Sequence, residues 1–314
     1  GIMQHIEEAG VHSGDSACSL PPYSLDSKII KELNVQTEKL AKALNVVGLM
    51  NVQFAVKDNQ IYLIEVNPRA SRTVPFVAKA TDSAIASIAA RIMAGETLDN
   101  FNKRESYGSV SNNETIPLTD PMSLADPMLP WFSVKEAVMP FARFPGVDTI
   151  LGPEMRSTGE VMGWDRDFGR AFLKAQMGAG MKLPSKGCVF FSIKDKDKND
   201  NLAETAQRLI NLGFDIIATR GTAAFLKEKN ITCKQINKVY EGRPNIVDTM
   251  KNGEIDLVMN TTEGTQAVKD SREIRSVALY DKIPYFTTAA AAHAAALAIQ
   301  SQTEGEIEVK SLQN

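Results

Sequence analysis

The chain has 314 residues, of which 43% are hydrophobic and 23% charged, and its formal net charge is −3. These values are typical of a soluble globular protein with room for two cores. Without a basic stripe, an acidic tail or an apolar run of membrane-spanning length, they disfavour nucleic acid and membrane as partners. Three cysteines, Cys18, Cys188 and Cys233, lack metal-type spacing and fit unpaired thiols in a reducing, cytoplasmic setting.

The first elements follow from local composition. Residues 1–8 favour a strand, and segment 11–22 is too rich in Ser, Gly and Pro to predict regular structure. The opening residues have no initiator Met and no signal-peptide pattern, so we expect a fragment of a longer protein. Apolar residues at helical spacing then predict an amphipathic helix over 27–45.

A β-hairpin is predicted next, from LMNVQFAV through the polar break KDNQ to IYLIEVNPRASRTVPF. Glu65 and Asn67 project from one face of the second strand. If the loop has an odd number of residues, for example 58–60, Gln53 lies opposite Glu65. Such oxygens suit Mg²⁺, which completes its shell with water and phosphates, so we expect a Mg-nucleotide ligand. The alternative is an ordinary Glu65–Arg69 ion pair with Gln53 solvated.

Further elements complete the first part of the chain. A helix closed by glycine is predicted over 83–95. Residues 101–130 show no period and are expected to be an irregular insertion. Alternating patterns predict strands within 132–141 and 155–164, and a glycine-terminated helix follows over 167–180.

Beyond a linker predicted at 181–187, short apolar strands alternate with amphipathic helices, and TTAAAAHAAALAIQ predicts a buried helix. This pattern favours a parallel α/β sheet with helices on both faces. Ligands of such sheets bind beyond the carboxyl ends of the strands, where helix N-termini can donate to phosphate. The candidates are Thr219 with Gly221 and Thr222, and the segment 260–262. The alternative is that the threonines only cap helices.

Two stretches carry a family resemblance. QFAV with EVNPRASRTVPFVAKAT resembles the second ATP-grasp unit of the carbamoyl phosphate synthetase large subunit. ATRGT with NKVYEGRPNIVD resembles the methylglyoxal-synthase-like regulatory domain of the bacterial enzymes. The expected fold class is therefore α/β with an α+β ATP-grasp portion. A partial ATP-grasp domain at 1–183 is expected to precede a parallel-sheet methylglyoxal-synthase-like domain at 184–314.

The resemblance implies an ATP-dependent ligase that phosphorylates carbamate to carbamoyl phosphate for arginine and pyrimidine biosynthesis. It implies ATP and Mg²⁺ or Mn²⁺ as cofactors. The implied metal ligands are Gln53, Glu65 and Asn67. Glu65 is the candidate for bridging two ions, and with Gln53 it also belongs to the nucleotide site. The other implied nucleotide contacts are Gly10, Val11, His12 and Ser13. The implied catalytic residues beside the transferred phosphoryl group are Arg69 and Arg72. His12 has an open alternative as a capping or exposed histidine.

Effector sites are also implied by the resemblance. The implied ornithine contacts, between the two domains, are Glu7, Asp15, Glu136, Tyr285 and Thr287. The implied UMP or IMP contacts are Lys198, Thr219, Thr222, Lys238, Asn260 and Thr262. The alternative for the acidic residues is that they are surface acids without a ligand. The alternative for Lys198 is that it lies in a solvated loop, where the alignment can slip by one residue. Arg220 stands where the family often has His, which leaves the effector's identity open.

The family further implies a glutaminase small subunit, bound through an upstream part of the chain, and a homo-oligomer of heterodimers. A competing hypothesis from another class is an isolated effector-binding module without turnover. A third is a lyase like methylglyoxal synthase, for which the matched phosphate binders offer no clear acid–base group.

Overall fold

The computed structural model describes residues 1–101, 131–144 and 146–309. The predicted insertion at 101–130 therefore lies, apart from Phe101, outside the described residues. The strands in chain order are β1 (Gln4–His5), β2 (Cys18–Leu20), β3 (Asn51–Lys57), β4 (Gln60–Asn67), β5 (Phe132–Val138), β6 (Gly159–Asp165), β7 (Gly187–Ser192), β8 (Phe214–Thr219), β9 (Lys234–Ile236), β10 (Leu257–Asn260) and β11 (Tyr285–Phe286).

The helices of the same described ranges are α1 (Ser27–Ala43), α2 (Thr73–Ala80), α3 (Ile85–Met93), α4 (Phe168–Gly178), α5 (Asp200–Asn211), α6 (Arg220–Glu228), α7 (Ile246–Lys251), α8 (Gly264–Asp270), α9 (Arg272–Tyr280) and α10 (Ala289–Thr303). None of these helices is both long and apolar enough to cross a membrane.

Two compact units make up the chain. The first unit comprises Gly1–Gln4, Cys18–Ser133 and Glu308–Asn314, and the second comprises His5–Ala17 and Val134–Ile307. In a four-stranded sheet, β1 and β2 are neighbours and β5 and β6 are neighbours. The predicted helices at 27–45, 83–95 and 167–180 are confirmed as α1, α3 and α4.

The hairpin of β3 and β4 is antiparallel and forms its own two-stranded sheet. Its turn is the two-residue pair Asp58 and Asn59, with φ of 50° and 60°, as a type I′ turn requires. The odd-numbered loop, for example 58–60, on which the pairing of Gln53 with Glu65 was made conditional does not occur. Gln53 nevertheless pairs with Glu65, because a register shift just after Gln53 adds one residue to β4.

Two elements of the first unit, β2 and α2, were not predicted. Cys18–Leu20 forms a buried strand inside the segment expected to be irregular. Ser19 is the polar residue of this strand, and its buried hydroxyl donates a hydrogen bond to the nearby carbonyl of Pro21 at 2.8 Å. Helix α2 contains Pro75 in its first turn, where proline's missing N–H has no intrahelical partner to lose.

The second unit contains a five-stranded parallel sheet with the order β11-β10-β7-β8-β9. The parallel α/β prediction is confirmed. The chain builds outward from β7 in one direction through β8 and β9, and in the other through β10 and β11. The direction of winding therefore reverses between β7 and β10, which is the topological switch point of the sheet. Phe190 and Val258, on these two central strands, are fully buried in the core.

The Ala-rich stretch forms α10, whose residues are largely buried, as predicted. α10 packs against α4 and α5. Gly169 on α4 permits the close approach, because a Cβ there would lie 2.8 Å from the carbonyl oxygen of Leu297. The Ser301 hydroxyl donates to the carboxylate of Asp167 at 3.0 Å. On the other side of α4, a Cβ on Gly163 of β6 would lie 2.0 Å from a backbone carbonyl oxygen.

Candidate functional site

The hairpin of the first unit brings its predicted polar residues together. Gln53 lies opposite Glu65, and the Asn67 amide donates to Glu65 Oε1 at 2.8 Å. The Arg69 guanidinium contacts Asn67 Oδ1 at 3.4 Å and donates to the carbonyl of Ala70 at 3.1 Å. The alternative Glu65–Arg69 ion pair does not occur in the described residues. One carboxylate and two amides therefore share one end of the hairpin.

This set of oxygens fits a hard divalent cation. Within the described ranges, no three His, Cys, Asp or Glu side chains are placed to hold a metal. A cation at Glu65 would therefore depend on amide oxygens, water and phosphate for its remaining ligands, which is how Mg²⁺ is usually bound. Arg72 occupies the N-cap position of α2, close along the chain to Arg69.

Segment 10–13, predicted to contact a nucleotide, belongs to the second unit and forms a tight turn. Gly10 has φ of 102°, a conformation that favours glycine. The His12 Nδ1 accepts from the backbone N–H of Gly14 at 3.0 Å, so the imidazole does cap a local turn. The Ser13 carbonyl accepts from the Lys135 ammonium at 3.1 Å.

Two buried carboxylates of the second unit have raised pKa values. Burial, reinforced by the charge of Glu136, raises the pKa of Glu7 to about 8. Burial raises the pKa of Glu136 to about 7, although Gln176 donates to its Oε2 at 2.5 Å. Glu7 Oε2 has no hydrogen-bond partner among the described residues. These two acids are therefore not solvated surface carboxylates, as the alternative had supposed.

The other three predicted amino-acid contacts lie in the same unit. Asp15 is buried, and its two oxygens accept backbone N–H groups of Arg156 and Ser157, both at 2.8 Å. The Thr288 hydroxyl, next to Thr287, donates to the carbonyl of Ile6 at 3.0 Å. Thr287 and Glu7 each lie one residue along the chain from this hydrogen bond.

Two of the predicted phosphate-binding residues, Thr219 and Thr222, lie where β8 ends and α6 begins. Thr219 and Thr222 are buried, and Thr222 Oγ1 accepts from the backbone N–H of Ile193 at 3.0 Å. Thr219 is the N-cap residue of α6 but makes no capping hydrogen bond with its side chain. A Cβ on Gly221 would lie 3.2 Å from Lys198 Nζ, so this ammonium lies at the start of α6. Because the Thr219 side chain makes no capping hydrogen bond, the alternative that it only caps a helix is wrong.

At the end of β10, the neighbouring threonine also has a structural partner. The Thr261 backbone N–H donates to the carbonyl of Ser192, and its hydroxyl accepts from the N–H of Lys194 at 2.9 Å. Lys194 forms an ion pair with Glu8. Lys198 pairs with Asp195 at 2.6 Å and is only 15% exposed, so it is not a freely solvated lysine. Lys238 adds a second positive charge near Asp195.

Tyr285 of β11 lies against Asn260 of β10. The Asn260 amide donates to the tyrosine oxygen at 2.7 Å. Burial raises the pKa of Tyr285, although Asn260 and the nearby charge of Arg275 oppose the shift. The Arg275 guanidinium is 3% exposed and forms a two-pronged pair with Asp148, both contacts at 2.6 Å. That hydrogen bonding to Arg275 lowers the pKa of Asp148.

Sequence reasoning missed four of these charged residues: Lys135, Asp148, Lys194 and Arg275. Lys135 is fully buried although it lies in an alternating strand, and nothing in FSVKEAV distinguishes it from a surface lysine. Arg275 shows only the spacing of a helical face residue. Lys194 begins the charged run KDKDKND, where its one signal is the strand that directly precedes it.

Two family models match parts of the chain. Residues 3–101 match the carbamoyl-phosphate synthase L chain, ATP binding domain, and residues 201–287 match the MGS-like domain. The chain thus combines part of an ATP-binding domain of that type with an MGS-like domain.

Curated relatives agree over the whole chain. Aligned over all 314 residues, the chain is 54% identical to the carbamoyl phosphate synthase large chain of Rhizobium meliloti (strain 1021), and the alignment covers 26% of that relative. The same identity is found to the large chain of Mesorhizobium japonicum, of which 25% is covered. For Pasteurella multocida the identity is 53% over 308 residues and the coverage 27%. The chain belongs to the carbamoyl phosphate synthase large-chain family, and it spans about a quarter of the length of these relatives.

Proposed function

We propose that the chain is the C-terminal portion of a glutamine-hydrolysing carbamoyl phosphate synthase large chain. In the whole protein, ATP phosphorylates carbamate to give carbamoyl phosphate and ADP, for arginine and pyrimidine biosynthesis in the cytoplasm. The observation that carries this proposal is the pairing of Gln53 with Glu65 beside Asn67. The domain boundary proposed from sequence stays at residues 183/184, and the proposed partner is a glutaminase small subunit within a homo-oligomer of heterodimers.

Phosphoryl transfer depends mainly on positioning and on neutralising charge spread over the phosphate oxygens. Gln53, Glu65 and Asn67 would hold Mg²⁺ or Mn²⁺, and the metal would screen the terminal phosphates of ATP when bound. Arg69 and Arg72 would face the transferred phosphoryl group with planar, permanently charged forks. The remaining nucleotide contacts proposed are Gly10, Val11, His12 and Ser13.

A metal-binding measurement tests the hairpin without requiring turnover. Mn²⁺ binding is followed by the loss of the electron paramagnetic resonance signal of free Mn²⁺. Glu65→Gln should weaken binding at least about tenfold, because it removes the only carboxylate of the set. Glu38→Gln, which changes the same charge at an exposed position of α1, should bind like wild type. Equal affinity in both variants would remove the metal site from Glu65.

The second unit is proposed to bind a nucleoside monophosphate, UMP or IMP, at the switch point of its sheet. What supports this is the position of the buried hydroxyls of Thr219 and Thr222 at the start of α6, with the Lys198 ammonium beside Gly221. The residues proposed for this role are Lys198, Thr219, Thr222, Lys238, Asn260 and Thr262. Lys198→Met should weaken UMP binding, whereas Lys196→Met, two positions away and largely exposed, should not.

An amino-acid cation, ornithine, is proposed for the acidic residues of the second unit. Two desolvated carboxylates carry a large energetic cost unless a cation compensates them. The unpartnered oxygen of Glu7 would accept from the ammonium group of such a ligand. The other contacts proposed are Asp15, Glu136, Tyr285 and Thr287.

The second candidate function is effector binding without turnover. It is favoured by the complete five-stranded sheet of the second unit, which includes both sides of its switch point. Titration calorimetry of the 314-residue chain with UMP, IMP and Mg-ATP separates the two candidates. Binding of a monophosphate without binding of Mg-ATP would favour the effector module. For the lyase alternative, we expect no methylglyoxal to form from dihydroxyacetone phosphate in a direct assay.

A further inference from the structure

A positively charged cavity lies on the side of the second unit where α7 packs against α9. Its volume is about 760 Å³, which is within the range of pockets that hold small molecules. Of the described residues that line it, none belongs to the set proposed for UMP or IMP. The cavity is therefore a separate candidate for ligand binding.

Three cations from three helices line this cavity: Lys251 at the end of α7, Lys269 in the last turn of α8 and Arg272 at the start of α9. Within the described ranges, none of the three forms an ion pair. Glu273 is the one carboxylate among the described lining residues. Three positive charges and one negative charge leave a net charge of +2, so the cavity suits an anion that carries at least two charges.

Arg272 lies where a cation lowers the stability of the helix. It is the first residue of α9, and the helix dipole disfavours positive charge at that end. Arg275 follows one turn later, and like charges at this spacing repel each other. The nearby carboxylate of Asp148 is already paired with Arg275 through both of its oxygens. A residue that breaks such local rules without a structural gain is typical of a functional site.

The two lysines have a structural explanation that Arg272 lacks. Lys251 and Lys269 each lie in the last turn of a helix, where the dipole favours a cation. Their shared cavity with Arg272 is what points to a ligand. A test of the lysines therefore needs a control lysine from the last turn of another helix.

The cavity also has an apolar side. Val247, which belongs to the core, and the partly buried Val277 both line it. Tyr240 lines it as well and is 71% exposed, so its ring is open to a planar partner. Aromatic side chains of this kind stack on nucleic acid bases. Cations next to apolar side chains and a tyrosine ring match the phosphates and the base of a nucleotide.

We propose that this cavity binds the polyphosphate chain of a nucleotide. The cations come from three helices around a space much larger than one phosphate group, so a chain of phosphates reaches them better than a single phosphate does. Lys251, Lys269 and Arg272 neutralise the phosphates, and Tyr240 stacks on the base. Because side chains supply the positive charge, binding needs no metal ion. This site goes beyond the proposed function and does not depend on it.

Binding of ATP in the presence of EDTA tests the site by titration calorimetry of the 314-residue chain. The chelator removes the metal on which a nucleotide site at Glu65 would depend. Lys269→Gln and Arg272→Gln should each weaken ATP binding at least about fivefold, because each removes a charge that attracts the phosphates. Lys227→Gln removes an exposed lysine from the last turn of α6 and should bind ATP like wild type. The wild-type affinity should fall as ionic strength rises.

The stability of ligand-free Arg272→Gln separates a binding role from a structural one. Since the dipole of α9 and the charge of Arg275 both oppose a cation at this position, the variant should melt at the wild-type temperature or above it. Circular dichroism measures the melting temperature and establishes that the variant is folded. A melting temperature below that of wild type would assign Arg272 a structural role and overturn the argument.

Sodium tripolyphosphate distinguishes a nucleotide from an inorganic polyphosphate. We expect ATP to bind wild type more tightly than tripolyphosphate does, because only ATP has a base to stack on Tyr240. Tyr240→Leu should remove that advantage and leave the affinity for tripolyphosphate unchanged. Equal affinities of wild type for the two ligands would overturn the assignment to a nucleotide.

Lys198→Met separates this cavity from the switch point of the sheet. Unchanged ATP binding in Lys198→Met, together with weakened binding in Arg272→Gln, would support the proposal. The reverse pattern would place the polyphosphate at the switch point and overturn it. Wild type that binds no ATP in EDTA would also overturn it, and neither result would affect the metal site proposed at Glu65.

Discussion

Replacing Glu7 by glutamine should stabilise the chain at alkaline pH and leave it nearly unchanged at pH 5. The pKa of Glu7 is raised from 4.5 to about 8 by burial and by the neighbouring charge of Glu136. The folded chain therefore holds more protons than the unfolded chain between those values. Since stability falls with pH wherever the folded state binds more protons, wild type loses stability across this window.

The size of the effect follows from the shift. Each pKa unit corresponds to about 1.36 kcal/mol, so Glu7 alone lowers the free energy of unfolding by about 3 kcal/mol between pH 5 and pH 8. Glutamine has the same shape and no charge to desolvate, so Glu7→Gln should escape this loss. The buried His5, whose pKa burial and Lys135 lower to about 4, destabilises the folded chain only as pH falls below 6.5. Its contribution is common to both proteins and cancels in their difference.

Equilibrium urea unfolding at pH 5, 6, 7 and 8, followed by circular dichroism, measures the difference. Glu154→Gln, which removes an exposed carboxylate, is the matched control and should track wild type at every pH. If the unfolding free energies of Glu7→Gln and wild type stay parallel from pH 5 to 8, Glu7 is not held in a desolvated pocket. The reasoning about the acidic pair would then be refuted.

Three substitutions test the packing. Gly163→Ala places a methyl group 2.0 Å from a backbone oxygen of α4 and should cost about 3 kcal/mol or more, whereas Gly152→Ala meets nothing within 4 Å and should leave the melting temperature unchanged. Asp148→Asn should cost about 3 kcal/mol at pH 7, because it leaves the buried Arg275 without its charged partner. The difference in unfolding free energy from wild type should shrink as pH falls through the lowered pKa of Asp148. Urea unfolding at pH 7 and pH 3 measures both effects, and a difference that is the same at the two pH values would contradict the prediction. Phe190→Ala should cost about 3 to 5 kcal/mol, since the ring is fully buried, and a loss below about 1 kcal/mol in urea would contradict its place in the core.

Much of the fold could be predicted because its signals are local. The periodicity of α1, the glycine that follows α3 and the alternation of apolar strands with amphipathic helices after residue 187 depend on neighbours along the chain. The same holds for the hairpin turn. The pairing of Gln53 with Glu65 was predicted only for an odd-numbered loop, whereas the structure achieves it with a two-residue loop and a bulge in β4. Bulges depend on how a strand bends against its partners, which local sequence does not report.

The charged interior could not be predicted in the same way. Lys135, Glu136 and Arg275 have the composition of surface positions, and only the tertiary fold removes them from water. β9 and β11 escaped prediction because segments of two or three residues show no period. The Thr219 hydroxyl was expected either to cap a helix or to bind phosphate, and only the structure shows that it makes no cap.

Helix α10 lacks the sidedness that normally orients a helix on its neighbours, because alanine surrounds most of its circumference. Polar bonds set its rotational phase instead, among them the Thr288 hydroxyl on the Ile6 carbonyl, the His293 ring at 3.1 Å from the Thr205 hydroxyl, and the Ser301 hydroxyl on Asp167, the N-cap of α4. With alanine on every side, the choice of the residues that face α4 falls to these bonds and to the close approach at Gly169. A larger side chain at Gly169 would therefore disturb the register of α10 as well as its distance from α4.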